Sequence, residues 1–208
     1  MKKIHFNALA WMALVIIMTA CTSNNKETGV TDSLSVTDAE KHEHPADVTR
    51  TEAGKPEFTV DQVFQQQLSQ FFRSYVNLKD AFVDSDISKV RKEIGGAREA
   101  LAKVDITLVD GPAKTDWTVY RDELNRGLDG IEQGSDIENQ REHFSKLSYS
   151  LYKAIKAFGL AGETAYYDFC PMAFNDKGAY WLSDKEAIRN PYFGDKMLPC
   201  GSVEETLH

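Results

Sequence analysis

Four runs of mainly apolar residues, each stepping by threes and fours, limit what this chain can fold into. The first is Phe64, Leu68, Phe71, Tyr75, Leu78 and Phe82. The second is Ile87, Val90, Ile94, Ala97, Leu101 and Val104. The third is Trp117, Tyr120, Leu124, Leu128 and Ile131. The fourth, interrupted only by Gln140, is Ile137, Gln140, Phe144, Leu147, Leu151, Ile155 and Phe158. Such spacing places each set on one face of a helix. Burying a large apolar side chain contributes about 1.5–3 kcal/mol before chain entropy is subtracted. The four stripes together therefore supply a core that folds independently. The aromatic stripe of the first helix reads as core packing rather than as a cofactor box.

Local signals set the helix ends. Thr59 and Gln62 have capping-box spacing, and Asp84-Ser85-Asp86 breaks the first helix and caps the second. The second helix carries Gly95-Gly96, which weakens it and offers a neighbouring helix close approach. Residues 105–114, with Gly111-Pro112, read as a connection, and Thr115 or Asp116 as the third cap. Ser135 and Glu138 form a second capping box, and Gly159 and Gly162 end the fourth helix. Short connections between amphipathic helices predict an all-α, antiparallel, up-and-down four-helix bundle over residues 58–162.

Beyond Gly162 the helical period stops. Asn175-Asp176-Lys177-Gly178 is a turn signal between two apolar and aromatic stretches, Tyr167–Phe174 and Ala179–Leu182, which predicts a short β-hairpin. Ser183-Asp184-Lys185-Glu186 is expected to start one helical turn, and Asn190-Pro191 and Gly194 mark further turns. Residues 163–208 have too little regular structure to fold alone. They form an irregular lid that packs on the bundle.

The N-terminus points to the cell envelope. Lys2 and Lys3 precede a short apolar run, Ala8 to Met18, which ends in Met18-Thr19-Ala20-Cys21. This resembles a bacterial lipobox, so residues 1–20 read as a signal peptide and Cys21 as the lipidated first residue of a membrane-anchored chain. Removing residues 1–20 takes two of the 24 basic residues and none of the 32 acidic ones, for a net charge of −10. That charge argues against nucleic acid as a partner, because phosphates need a clustered basic face. Residues 21–57 are polar and read as a flexible tether. Lys41-His42-Glu43-His44 within it reads as a solvated charge run.

With Cys21 acylated, Cys170 and Cys200 are the remaining pair. Cys170-Pro171-Met172 and Met197-Leu198-Pro199-Cys200 place a thioether near each thiol at the two ends of one loop. Thiolate and thioether donors select soft ions such as Cu(I) over Mg, Ca or Mn. Zinc prefers thiolate and imidazole, and two cysteines are few for it. His143 lies about 80° from the centre of the fourth stripe, at an edge the tail could cover, and reads either as a hydrogen-bonded boundary residue or as a further ligand. A structural Cys170–Cys200 disulfide competes with the metal site, with Met172 and Met197 then serving as ordinary apolar contacts. The rival function is then a structural or protein-interaction module whose disulfide-tied tail presents Tyr166, Tyr167, Tyr180, Trp181 and Tyr192. No Ser/His/Asp grouping, glutamate pair or HExxH spacing points to an enzyme.

The motif pieces Cys170-Pro171-Met172-Ala173, Lys177-Gly178-Ala179-Tyr180-Trp181-Leu182-Ser183, Ile188-Arg189-Asn190-Pro191-Tyr192-Phe193-Gly194, Met197-Leu198 and Cys200-Gly201 carry a family resemblance. So do Gln140-Arg141-Glu142-His143-Phe144 with Leu147-Ser148, and the run Tyr75 to Val83. They are similar to a bacterial domain family of unassigned function, common in Bacteroidetes-type lipoproteins. That family is also fused to periplasmic adaptor subunits of copper/silver efflux systems. The resemblance spans roughly Phe58 to Leu207 and implies heavy-metal handling. It carries Cys170, Met172, Met197, Cys200 and His143 over as ligands for Cu(I) or Ag(I), with an efflux adaptor as partner.

Overall fold

The computed structural model describes residues 51–52 and 54–208. The signal peptide, Cys21, His42, His44 and the tether up to residue 50 lie outside the described residues.

Four long helices follow in order: α1 (Gln62–Val83), α2 (Ile87–Ala102), α3 (Gly111–Gln133) and α4 (Ile137–Phe158). α1 packs on α2 and α4, α2 on α3, and α3 on α4. Each buries most of the stripe read from the sequence, with Ile87 exposed at the start of α2 and Tyr120 and Ile137 half-buried. Phe64, Trp117 and Phe158 meet edge-on and tilted at 5.1–5.9 Å between ring centroids, and Phe144 lies 5.2 Å from Tyr75 and 4.8 Å from Phe82. All six rings are fully buried.

The caps differ from expectation by a few residues. Asp61, not Thr59, caps α1, its carboxylate accepting from Val63 N at 2.6 Å. Asp86 caps α2 as expected. α3 starts earlier than expected, at Gly111, with Pro112 in its first turn, where a missing N–H costs nothing. Asp136 caps α4, steadied by Ser135 Oγ. Gly95 and Gly96 have open space around them. The close helix approach falls instead between α3 and α4. A Cβ on Gly127 would lie 2.9 Å from Leu147 Cβ, and one on Gly130 would overlap the His143 ring.

The tail departs from the all-α expectation. The hairpin is present as β2 (Ala165–Cys170) and β3 (Ala179–Ser183), in antiparallel register with Tyr167 opposite Leu182 and Cys170 opposite Ala179. A further strand, β4 (Ser202–Leu207), pairs antiparallel with the other edge of β2, with an irregularity at Tyr167/Asp168. β1 (Thr51–Glu52), from the stretch read as tether, adds a parallel edge to β4, for an order β1-β4-β2-β3. Ser-Val-Glu-Glu-Thr-Leu has no clear strand pattern by itself. It becomes a strand because β2 offers it a free hydrogen-bonding edge. Ser183 ends β3, and residues 184–187 form bends rather than a helical turn.

Three contacts seat the sheet on the helices. Tyr75 Oη lies 2.7 Å from Ser148 Oγ and accepts from Leu182 N at 3.1 Å, joining α1, α4 and β3 in the core. Tyr152 of α4 stacks on Tyr167 of β2 at 3.8 Å, and Tyr167 on Tyr180 of β3 at 4.7 Å. Arg141, 4% exposed, donates to Pro191 O, Phe82 O, Ser85 Oγ and Glu138, and so ties α4 to the α1–α2 turn and to the tail.

Candidate metal centre

Cys170 ends β2 and Cys200 lies two residues before β4. Because Phe169 pairs with Ser202, the end of β2 and the start of β4 are side by side. The two sulfurs lie 3.3 Å apart as free thiols. Cys170 is fully buried and Cys200 partly so. The hydrogen bond shared with Cys170, then burial, pushes the Cys200 thiol above its ordinary pKa. Gly201 supports the close approach. Its φ is +145°, and a Cβ there would meet Phe169 O and the Trp181 ring, each at 2.8 Å.

Asn190 holds the Cys200 side of the loop. It is fully buried, and its Nδ2 donates to Cys200 O at 2.7 Å while its Oδ1 accepts from Tyr192 N at 2.8 Å. Its backbone N–H reaches Leu198 O and its carbonyl accepts from Gly194 N. In the sequence Asn190-Pro191 signalled only a turn.

The two methionines share a cleft of about 470 Å³, lined also by Glu138, Glu142, Phe174 and Tyr192. Met172 is 46% exposed. The loop carrying it turns through Phe174, Asn175 and Asp176, all at positive φ (54°, 58° and 62°). Three successive non-glycine residues in the left-handed region store strain, of about 1–3 kcal/mol each.

His143 is not brought to the sulfurs. It packs against Gly130 of α3 and lines a separate cleft with Glu123, Arg126, Lys146 and Tyr149. The reason is angular. Arg141 takes the tail-facing edge of α4, and His143, two residues on, lies about 200° further round. Among the described residues no group of three or more His, Cys, Asp or Glu side chains is placed to hold a metal ion. Further ligands to a Cys170–Cys200 site would thus be thioethers. The donor set suits a soft ion, but the pair is closed. Metal–thiolate bonds of about 2.3 Å set sulfurs about 3.8 Å apart in tetrahedral geometry and about 4.6 Å apart in linear geometry. Binding would open the pair by at least half an ångström or so on this arithmetic.

The display of tail aromatics expected of an interaction module is largely absent. Trp181, Tyr192 and Tyr167 are buried, and Tyr180 is the exposed one among them at 39%. Two residues before Cys170 on β2 is Asp168, opposite Trp181 in the sheet. It is fully buried, and neither its oxygens nor Trp181 Nε1 makes a hydrogen bond of normal geometry. Burial pushes its pKa up to about 8, against the opposing pull of Lys79 and the Trp181 indole. An aspartate inside an aromatic run was the available sequence signal for this group.

Residues 71–163 match the DUF3347 family, a protein family of unknown function. The matched stretch runs from within α1 to just past the end of α4. The match stops before Cys170, so the sulfur-bearing tail lies outside it, a narrower span than the resemblance over Phe58 to Leu207. No curated protein and no solved structure matches the chain. No helix among the described residues is long and apolar enough to cross a membrane.

Proposed function

We propose that this chain is an envelope lipoprotein, anchored through Cys21, that binds Cu(I) or Ag(I) and buffers it or delivers it to an efflux system. The observation that carries the reading is the 3.3 Å approach of Cys170 and Cys200 across a thirty-residue separation. Met172 and Met197 line one cleft, which neither cysteine lines, and their thioethers are the further soft donors that the reading draws on. Capture proceeds by ligand exchange from thioether to thiolate with loss of the thiol protons, and no covalent bond of a substrate is made or broken. In this reading the four helices form an antiparallel up-and-down bundle that serves as the rigid platform for the loop.

The same approach of the sulfurs also favours a second reading, a Cys170–Cys200 disulfide tying the tail for a structural role. Cu(I) titration of the reduced chain against a competing chelator separates the two. The wild type is expected to withdraw Cu(I) from the chelator, and the Cys170→Ser, Cys200→Ser double variant to fail. Met172→Leu with Met197→Leu is expected to weaken retention about tenfold or more, the loss of roughly one modest ligand contact. Equal Cu(I) uptake by wild type and the cysteine double variant would sink the metal reading.

A further inference from the structure

We propose that Asn190 is the positioning residue of the thiol pair, holding Cys200 closed against Cys170. This rests on the pair being the working site, but not on the identity of the ion it takes. Three observations converge. Asn190 is wholly buried between the two arms of the loop that carries Met197 and Cys200. Its amide is used at both ends, with Nδ2 on Cys200 O at 2.7 Å and Oδ1 on Tyr192 N at 2.8 Å. Its own backbone closes the loop onto Leu198 O at 2.9 Å and Gly194 N at 3.1 Å. Cys200 has little else to fix it: it lies outside β4, its N–H bonds only within its own loop to Met197 O, and Pro199 before it is exposed.

A primary amide suits this position. One donor and one acceptor on a short, rigid stem span the carbonyl of Cys200 and the N–H of Tyr192. Tyr192 is in turn fixed by its hydroxyl, which donates to Tyr180 O on β3, the strand paired with the Cys170 end of β2. Asn190 thus references Cys200 to the sheet that carries Cys170. Aspartate keeps the volume and the Oδ1 acceptor but sets a second oxygen against the Cys200 carbonyl.

The test uses phenylarsine oxide on the full chain, reduced, beside Asn190→Asp and Asn190→Ala. Two thiols add to the arsenical with loss of one water, forming two As–S bonds without any change of oxidation state. Capture at Cys170 and Cys200 is read by peptide mass in competition with a small free dithiol. Parallel alkylation with iodoacetamide reports the exposure of Cys170 alone. The expected result is a fall in capture of about tenfold or more in both variants, comparable to one net hydrogen bond. Cys170 is expected to stay as protected from iodoacetamide as in the wild type. Capture equal to wild type in both variants would overturn the proposal. So would Cys170 reacting as fast as in the urea-unfolded chain, since the loss would then be unfolding. Intact arsenical capture with failed Cu(I) competition would sink the copper reading alone.

Discussion

Asp168 is the residue at which this fold bears an uncompensated cost. A buried carboxylate without a hydrogen bond is disfavoured as an ion, and this one is shifted up to about 8. In the unfolded chain an aspartate titrates near 4, by the usual reference value of about 3.9. The folded state therefore holds the extra proton between those two values, and stability falls as pH rises through that window. Asp168→Asn removes the dependence. Urea midpoints at pH 4.5 and 8.5 are expected to show the variant gaining on the wild type by about 1–3 kcal/mol at the higher pH, the cost of an unsatisfied buried group. Parallel behaviour at both pH values would rule this out. In the sequence Asp168 stands out only as an acid among aromatics. What makes it costly is that the register places it opposite Trp181, on the face turned to the helices.

At the scale of elements, the stripes predicted the four helices because a 3.6-residue period is a local property. Local composition could not say which glycines matter. Gly95-Gly96 stood out as a pair, yet nothing lies near either one, whereas Gly127 and Gly130 take the contact with α4. Alanine at Gly95 or Gly96 is expected to raise stability by about 0.5–1 kcal/mol through helix propensity. Alanine at Gly127 is expected to lower it by about 1–3 kcal/mol, because Leu147 lies too close and overpacking outweighs propensity. Chemical denaturation of the three single variants checks this, and a stabilised Gly127→Ala would contradict the packing. His143 belongs to the same scale. Its place at a stripe edge was readable, but which edge faces the tail depends on Arg141 reaching Pro191 and Phe82.

For the whole molecule, the issue is whether the tail is an appendage or part of the core. Tyr192 lies 6.1 Å from Phe144 between ring centroids, and Leu182 N bonds to Tyr75 Oη inside the helices. Trp181, Leu182 and Tyr192 are buried as deeply as most helix residues. A chain ended after Glu163, close to the limit of the DUF3347 match, is therefore expected to lose cooperative melting and to bind a hydrophobic dye. A truncated chain that melts cooperatively within a few degrees of the full one would contradict this.

The sequence by itself determined the four helices, their apolar faces, the hairpin turn and the Cys/Met spacing, because each is written in short-range periodicity or in local turn chemistry. It also singled out Cys170 and Cys200 as a pair, on residue type alone. Only the tertiary structure decided that they touch, since their contact depends on β4 finding the free edge of β2 and on Asn190 bridging Cys200 to Tyr192. It likewise sent His143 to α3 and buried Asp168 without a partner. Contacts between residues thirty or more positions apart are set by which surfaces bury one another, and no local pattern encodes that choice.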